Sequence, residues 1–483
     1  MNFSSLIHQI ASDPALSDHY LTDGMITCQY PDILHLLERL NQHLSGLGVS
    51  TSECIALECN NSVPGALALL LMLQRRQGFV LLPPSEKGEE VSQLKPIPRF
   101  CTRRLRILPV ARENLPHWAD DPSLYLTVED FSSQADESQL PADEIQGRLF
   151  LRTSGSMGTA KLVVHSHEHL LGNADNVRCK YGFTADDRAT IPVPVFHLYG
   201  LGAEFLPAIL AGASIDLQHN TNLLKYLDRE RRFKPTIAFV TPNLVEMLLQ
   251  GKRTSTDYKI MVVSGQRFRD DLFRAFDPLC GGRLVNQYGS SEMGAVAACN
   301  PDDEFELRLS TLGHPMPGVE LRLDAQDDDI AELYCRHPFG YLGYMNEEGV
   351  WISRASEWHR TGDIGRRHGK DLIEVLGRAD DSINRSGYLV LLADIERLMA
   401  TLAGIAAVTV LATQRQERIQ GQQIVAFCQP EKGVTLDVEW IRRALLQIMP
   451  RHAIPDQMHI LDTLPLLPSG KIDRQTLLAL VVE

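Results

Sequence analysis

The chain has 483 residues, with 47 Lys and Arg against 61 Asp and Glu, and so a formal net charge of −14 with histidine neutral. That balance argues against a protein whose main work is gripping nucleic-acid backbones. With 44% hydrophobic and 22% charged residues the composition is that of an ordinary globular chain, and at roughly 150 residues per domain the length predicts about three domains, or a large one with a small one.

The N-terminal residues 1–13 lack the basic start, apolar stretch and small-residue cleavage site of a secretory signal, and no later window supplies a membrane span. The expected location is cytoplasmic. Helical patches such as Ile33 to Leu47 then alternate with short apolar strands, Ile55 to Leu57 and Gly78 to Leu82, the rhythm of βαβ units on a parallel sheet. Between them Val63 to Leu73 reads as a buried helix. Asn61 and Ser62 offer capping side chains, Pro64 falls in the first turn, and Arg75 and Arg76 lie where the helix dipole favours cations. Residues 129–147 are acidic and poor in apolar side chains, a surface connector. After Arg148 come a strand, a glycine-rich loop and a second strand from Lys161 to His165; strands at Thr236 to Val240 and Lys259 to Val263 continue the α/β rhythm. Glycine and proline punctuation at Gly313, Pro315, Pro317, Gly318, Gly340 and Gly343 predicts a β-rich subdomain at about 305–376. The last section, 377–483, carries helix-like stretches Ala393 to Leu402 and Val438 to Ile448 around the apolar strand Val408 to Leu411, enough for a small α+β domain. The expected organisation is thus a large α/β domain, 1–376, followed by a small α+β domain, 377–483. Nine scattered cysteines without a C-x-x-C pair spell neither a disulfide framework nor a zinc cluster.

The run Thr153-Ser154-Gly155-Ser156-Met157-Gly158-Thr159-Ala160-Lys161 places hydroxyls, glycines and a lysine between two predicted strands. Glycines let backbone N–H groups turn inward, hydroxyls donate further hydrogen bonds and the lysine adds charge, which together suit a polyphosphate. It is not a Walker loop, because Leu162 and a β-like run follow Lys161 in place of Ser or Thr and a helix. His165, His167 and His169 lack the H-E-x-x-H spacing of a zinc site, and Ser166 has the position of a helix N-cap. No G-x-S-x-G elbow surrounds Ser156 or Ser291, which weighs against a serine hydrolase.

Further segments follow in order: Asn286 to Glu292 (NQYGSSE), His359 to Asp363 (HRTGD), Gly377 to Asp381 (GRADD) and Leu464 to Arg474 (LPLLPSGKIDR). With the hydroxyl loop, this ordered set resembles the ATP-dependent adenylate-forming superfamily, which contains acyl- and aryl-CoA synthetases, stand-alone adenylation domains and luciferases. The resemblance spans nearly the whole chain and implies activation of a carboxylic acid with ATP and Mg²⁺ to an acyl-adenylate and pyrophosphate, then transfer to a phosphopantetheine thiol. Such a reaction depends on charge neutralisation and alignment more than on acid–base work.

By that resemblance, Thr153, Ser154, Gly155, Ser156, Gly158 and Lys161 hold the β- and γ-phosphates, Tyr288 flanks the adenine with Gly289 beside it in the ATP site, Ser291 contacts the α-phosphate and Glu292 holds Mg²⁺. Asp363 takes the ribose hydroxyls with Arg378 nearby, and Lys471 bridges phosphate and carboxylate oxygens. Lys471, Glu292 and His197 form the expected catalytic group. Asp380, beside Asp381, marks a hinge about which the C-terminal domain turns, and Gly387 is the position that such a turn brings to the thiol tunnel. The departures are Met157 for a threonine, Ala160 for a proline, Leu162 for a glycine, Ser291 for a threonine, which keeps the hydroxyl, Asn384 for a lysine and Asp394 for a glutamate. Met157, Leu162 and Asn384 leave an alternative open, a degenerate member that binds nucleotide or acyl-adenylate without turnover, against which Glu292, Asp363 and Lys471 argue.

The implied acid pocket is edged by Phe196, His197, Tyr199, Gly265 and Gln266. His197 stands where amino-acid-activating relatives carry an aspartate, so an aryl or acyl acid without an α-amino group is favoured, and the aromatic edge leans towards a ring. The chain ends nine residues after Arg474, which predicts no fused carrier domain. The acceptor is then coenzyme A or a separate acyl carrier protein, the divergent motifs leaning slightly to the latter.

Overall fold

The strands Cys54–Glu58 and Gly78–Leu82 are buried at every position, as strands covered on both faces must be, and they pair in parallel from Cys54 opposite Gly78 to Glu58 opposite Leu82. The crossover between them is the helix Val63–Gln74, buried from Val63 to Leu73, which is why its sequence is apolar all round rather than on one stripe. Ser62 caps it, its Oγ accepting from the Gly65 N–H at 3.1 Å. The computed structural model describes residues 3–85, 96–131, 140–153, 161–219, 222–251, 258–265, 268–324, 330–368, 372–379, 382–385, 388–414, 422–466 and 472–482.

The described chain is a mixed α/β structure with two large sheets. In the eight-stranded sheet the order is Trp351–Arg354, Gly343–Met345, Lys161–Ser166, Arg148–Thr153, Gly78–Leu82, Cys54–Glu58, Cys101–Ile107 and Leu126–Asp130. Its antiparallel hairpin, Arg148–Thr153 with Lys161–Ser166, closes on the pair Thr153 and Lys161, so the two ends of the hydroxyl loop are held side by side. The nine-stranded sheet runs His314–Pro315, Gly294–Ala298, Leu284–Ser290, Ile260–Val263, Ile237–Val240, Arg188–Ile191, Ser214–Leu217, Tyr20–Thr22 and Thr27–Gln29. From Leu284–Ser290 to Ser214–Leu217 every neighbouring pair is parallel. All these strands therefore point their carboxyl ends the same way.

Two compact units emerge, Met1–Glu320 with Cys335–His359, and Leu321–Tyr334 with Arg360–Glu483. The strands of 305–376 are shared among three sheets. His314–Pro315 joins the nine-stranded one, Gly343–Met345 and Trp351–Arg354 join the eight-stranded one, and Glu320–Leu323, Ile330–Arg336, His359–His368 and Leu372–Arg378 form a sheet of their own. The 376/377 position falls inside the strand Leu372–Arg378 and within the second unit. In the C-terminal section the helices Leu392–Ala400 and Val438–Ile448 pack Ile395, Met399, Ile441 and Leu445 against Val410 and Ala426 of the strands Ile405–Gln414 and Gln422–Pro430. Among the described residues no helix is long and apolar enough to cross a membrane.

Candidate active site

The carboxyl ends of four adjacent parallel strands carry the segments expected to form the acid pocket. Val193 to His197 follows Arg188–Ile191, Thr241 and Pro242 follow Ile237–Val240, Ser264 and Gly265 follow Ile260–Val263, and Tyr288 and Gly289 end Leu284–Ser290. Crevices outside the carboxyl ends of parallel strands are where open α/β sheets bind ligands, because backbone N–H groups and loops converge there. Asn61 fixes the first segment: its amide donates to the carbonyls of Ile191 and Val193, both at 2.9 Å, and its oxygen accepts from the Val195 N–H at 2.8 Å. The segment then turns sharply. A Cβ on Gly200 would come within 2.4 Å of the Pro194 carbonyl oxygen, so only glycine fits.

Phe196 and His197 lie with ring centroids 4.6 Å apart, His197 on the exposed side. Tyr199 is held by its hydroxyl. Its single proton is shared between the carbonyls of Val240 and Val262, at 3.2 and 3.1 Å, which pins the ring to the strand ends. Gly265 is exposed at φ +100°, with open space where a Cβ would stand. Behind Tyr199 the backbone forms a π-turn, Leu201–Phe205, and inside it Glu204 is fully buried.

Where the strand Leu284–Ser290 meets Gly294–Ala298 the ladder shifts between Tyr288 and Gly289, and a Cβ on Gly289 would lie 2.3 Å from the Gly294 carbonyl oxygen. The Ser290 Oγ accepts from the N–H groups of Glu292 and Met293, at 3.2 and 3.1 Å, making a tight turn that presents Ser291 and Glu292. The Tyr344 hydroxyl donates to Glu292 Oε1 at 2.8 Å, and the Lys161 ammonium stands 5.7 Å from the centre of the Tyr344 ring. One tyrosine thus joins the base of the hydroxyl loop to the expected Mg²⁺ carboxylate. Burial and the Glu292 charge push the Tyr344 phenol up, so it stays a donor. Glu292 is a hard oxygen ligand held by one of its two oxygens, which suits Mg²⁺, a cation bound through one or two carboxylates together with substrate phosphates.

In the second unit, Asp363 and Arg378 face each other across the antiparallel strands His359–His368 and Leu372–Arg378. Arg378 Nη1 donates to Asp363 Oδ1 at 3.2 Å and to the Thr361 carbonyl at 3.1 Å, and the Asp363 N–H donates to Thr361 Oγ1 at 3.1 Å. Near the expected catalytic lysine, Leu466 bridges Ile472 and the Asp473 N–H donates to the Pro465 carbonyl at 2.8 Å. Ser154, Gly155, Ser156, Gly158, Gln266, Asp380, Gly387 and Lys471 lie outside the described residues, as does the Thr153 side chain.

In the sequence Gly340 to Gly343 reads only as turn punctuation and Asn61 as a helix cap, so the contacts of Tyr344 and Asn61 show only in the structure. A hydroxyl or amide that acts across 52 or 130 residues leaves no local pattern. Ser166 does cap the helix His167–Tyr181, accepting from the His169 N–H at 3.0 Å. The neighbouring histidines turn to backbone carbonyls: His165 Nε2 donates to Ser291 at 2.7 Å and His169 Nδ1 to Gly340 at 2.7 Å. Among the described residues no three His, Cys, Asp or Glu side chains could hold a metal between them.

Residues 103–345 match the family model for AMP-binding enzymes. The chain is 27% identical over 375 residues to a salicylyl-CoA synthase / salicylate adenylyltransferase of Streptomyces, covering 74% of this chain and 66% of that one. To the indoleacetate–CoA ligase of Aromatoleum aromaticum it is 27% identical over 485 residues, covering 94% and 93%. The o-succinylbenzoate CoA synthetase of Bacillus subtilis, solved with its acyl-adenylate intermediate, has the same fold: TM-score 0.78 at 19% identity, covering 98% of this chain and 97% of that one. The chain belongs to the AMP-binding enzyme family, within the adenylate-forming superfamily that its ordered motifs resemble.

Proposed function

We propose that this enzyme is an ATP-dependent acid–thiol ligase. It activates an aryl or acyl carboxylic acid to an acyl-adenylate with release of pyrophosphate, then passes the acyl group to the thiol of coenzyme A or of a separate acyl carrier protein. The observation that carries this reading is the meeting of Lys161, Tyr344 and Glu292 within one unit. A cation at the foot of the hydroxyl loop and a carboxylate for Mg²⁺ are what a triphosphate needs at its two ends. In the first step an oxygen of the substrate carboxylate attacks the α-phosphorus and the bond to the pyrophosphate oxygen breaks. Mg²⁺, when bound, offsets the charge of the phosphates. Ser291 contacts the α-phosphate, Asp363 and Arg378 hold the ribose, and Lys471 bridges the reacting oxygens. The C-terminal section 377–483 then turns at Asp380 and brings Gly387 to the thiol.

An aromatic acid is favoured. Phe196 and His197 offer a tilted pair of rings, Tyr199 is tied down as a wall, and His197 in place of an aspartate supplies no partner for an α-ammonium group. The Leu162 departure also loses its force as a sign of degeneracy. That side chain is 0% exposed and packs with Val80, Phe150 and Met345, so it serves the core rather than the nucleotide.

The test is pyrophosphate release with Mg-ATP across benzoic, cinnamic, arylacetic and short- and long-chain acids, with hydroxylamine as a trap and then with coenzyme A or carrier proteins as acceptors. Release with aromatic acids is the expected result. Silence across the panel with ATP still bound would replace this reading by that of a nucleotide binder without turnover.

A further inference from the structure

His165, in the histidine-rich stretch after the hydroxyl loop, is buried and has no part in the expected roles, yet its contact is specific. Its Nε2 donates to the carbonyl of Ser291, at 2.7 Å. The same turn is gripped at successive backbone groups from separate elements. The Tyr341 N–H donates to the Glu292 carbonyl at 2.7 Å. Asn173, on the helix His167–Tyr181, donates to the Met293 carbonyl at 2.8 Å and accepts from the Ala295 N–H at 3.2 Å. His337 Nε2 donates to the Ala295 carbonyl at 3.0 Å. A Cβ on Gly294, at φ +66°, would lie 2.4 Å from the Asn173 amide nitrogen, so the clamp closes on a backbone with no side chain between.

Of these contacts, only the His165 bond starts from the strand that begins with Lys161. Lys161 and His165, four residues apart, share one face of a stiff strand that is paired on both sides, with Arg148–Thr153 and with Gly343–Met345. We propose that His165 is a positioning residue for adenylation, fixing the main chain of Ser291 and Glu292 to the strand that carries Lys161 and so setting the distance between the loop cation and the Mg²⁺ carboxylate. The inference rests on the acid-activating reading above. It differs from a plain packing role in what it predicts: loss of the donor loosens the metal site, whereas loss of packing lowers stability alone.

The experiment compares His165→Leu, which removes the donor, with His165→Gln, whose amide N–H reaches a similar place. Pyrophosphate release is measured against free Mg²⁺ and against the acid, alongside the melting temperature. His165→Leu is expected to lower kcat about tenfold, the effect of losing one buried hydrogen bond in the transition state. It should also raise the Mg²⁺ requirement several-fold while leaving the KM for the acid nearly unchanged, and His165→Gln should recover most of both losses. If His165→Leu does not fold, His165→Met, more adaptable in a core, serves as the donorless variant. A folded donorless variant with wild-type kcat and Mg²⁺ dependence overturns the proposal, as does a glutamine variant no better than the donorless one. A wild-type enzyme that releases pyrophosphate with no acid instead defeats the adenylation reading, and this proposal falls with it.

Discussion

Glu204 is a carboxyl group cut off from water. One oxygen accepts from the Phe239 N–H at 2.9 Å, and burial pushes its pKa well above the usual carboxylate range. The folded state therefore keeps a proton that the unfolded chain gives up, so between the ordinary carboxylate value and the raised one stability falls as pH rises. Glutamine has the same shape and no proton to lose. Glu204→Gln should gain on the wild type with rising pH, by at most about 1.4 kcal/mol per pH unit, in urea unfolding at pH 5 and pH 8. An equal difference at both pH values would contradict a neutral Glu204. Tyr344→Phe addresses the catalytic side. It deletes the hydroxyl on Glu292 and keeps the ring beside Lys161, so adenylation should drop by about 10- to 100-fold, the range for a hydrogen bond to a charged group. Pyrophosphate release at saturating acid measures it, with the melting temperature nearly unchanged.

At the scale of the elements, the strand Lys161–Ser166 and the helix His167–Tyr181 bury histidines that composition alone would leave in water. Burial pulls His165 down to about 4, His167 to about 3 and, on the segment after Ile330–Arg336, His337 to about 4. Here the unfolded chain takes up protons first. Stability is whole above the ordinary histidine value near 6.5 and is lost as pH falls towards the folded values, each group contributing up to about 1.4 kcal/mol per pH unit. Acid unfolding should accordingly begin below about pH 6. His167→Leu, which leaves the Ser291 contact alone, should make the fall shallower by about one proton in urea titrations between pH 4.5 and 7. An unchanged slope would show that His167 is not buried neutral. The period and composition of these two elements were legible: an apolar run followed by Ser166 as the cap. Their histidines were not, since H-S-H-E-H reads alike whether the rings meet a metal, water or a carbonyl.

For the whole molecule, the expected machinery is divided: Lys161, Glu292 and Tyr344 belong to one unit, Asp363, Arg378 and the Lys471 segment to the other. A two-step reaction uses such a division if one section moves between steps. Lys471→Ala should abolish acyl-adenylate formation yet transfer the acyl group from synthetic acyl-adenylate at near the wild-type rate, whereas Gly387→Trp should do the reverse. Measuring both half-reactions on both variants checks this, and equal loss of both steps in either variant refutes the alternation.

The α/β class and the ordered motifs were determined by local chemistry alone. Strands buried on both faces need unbroken apolar runs such as Ile55 to Leu57 and Gly78 to Leu82, and phosphates need hydroxyls and glycines wherever the loop stands. The helix Val63–Gln74 announced itself by Ser62 and Pro64 for the same reason. Only the tertiary structure decided that the strands of 305–376 belong to three sheets, because sheet partners are chosen by which edge lies near, not by the strand's own residues. It likewise decided that Asn61 braces the segment expected to edge the acid pocket instead of capping a helix, that Tyr199 spends its hydroxyl on two strand ends, and that Tyr344 and His165 reach Glu292 and Ser291. Each of these is a hydrogen bond between residues far apart in the chain. Its energy depends on distance and desolvation, quantities that exist only once the sheets have brought the partners together.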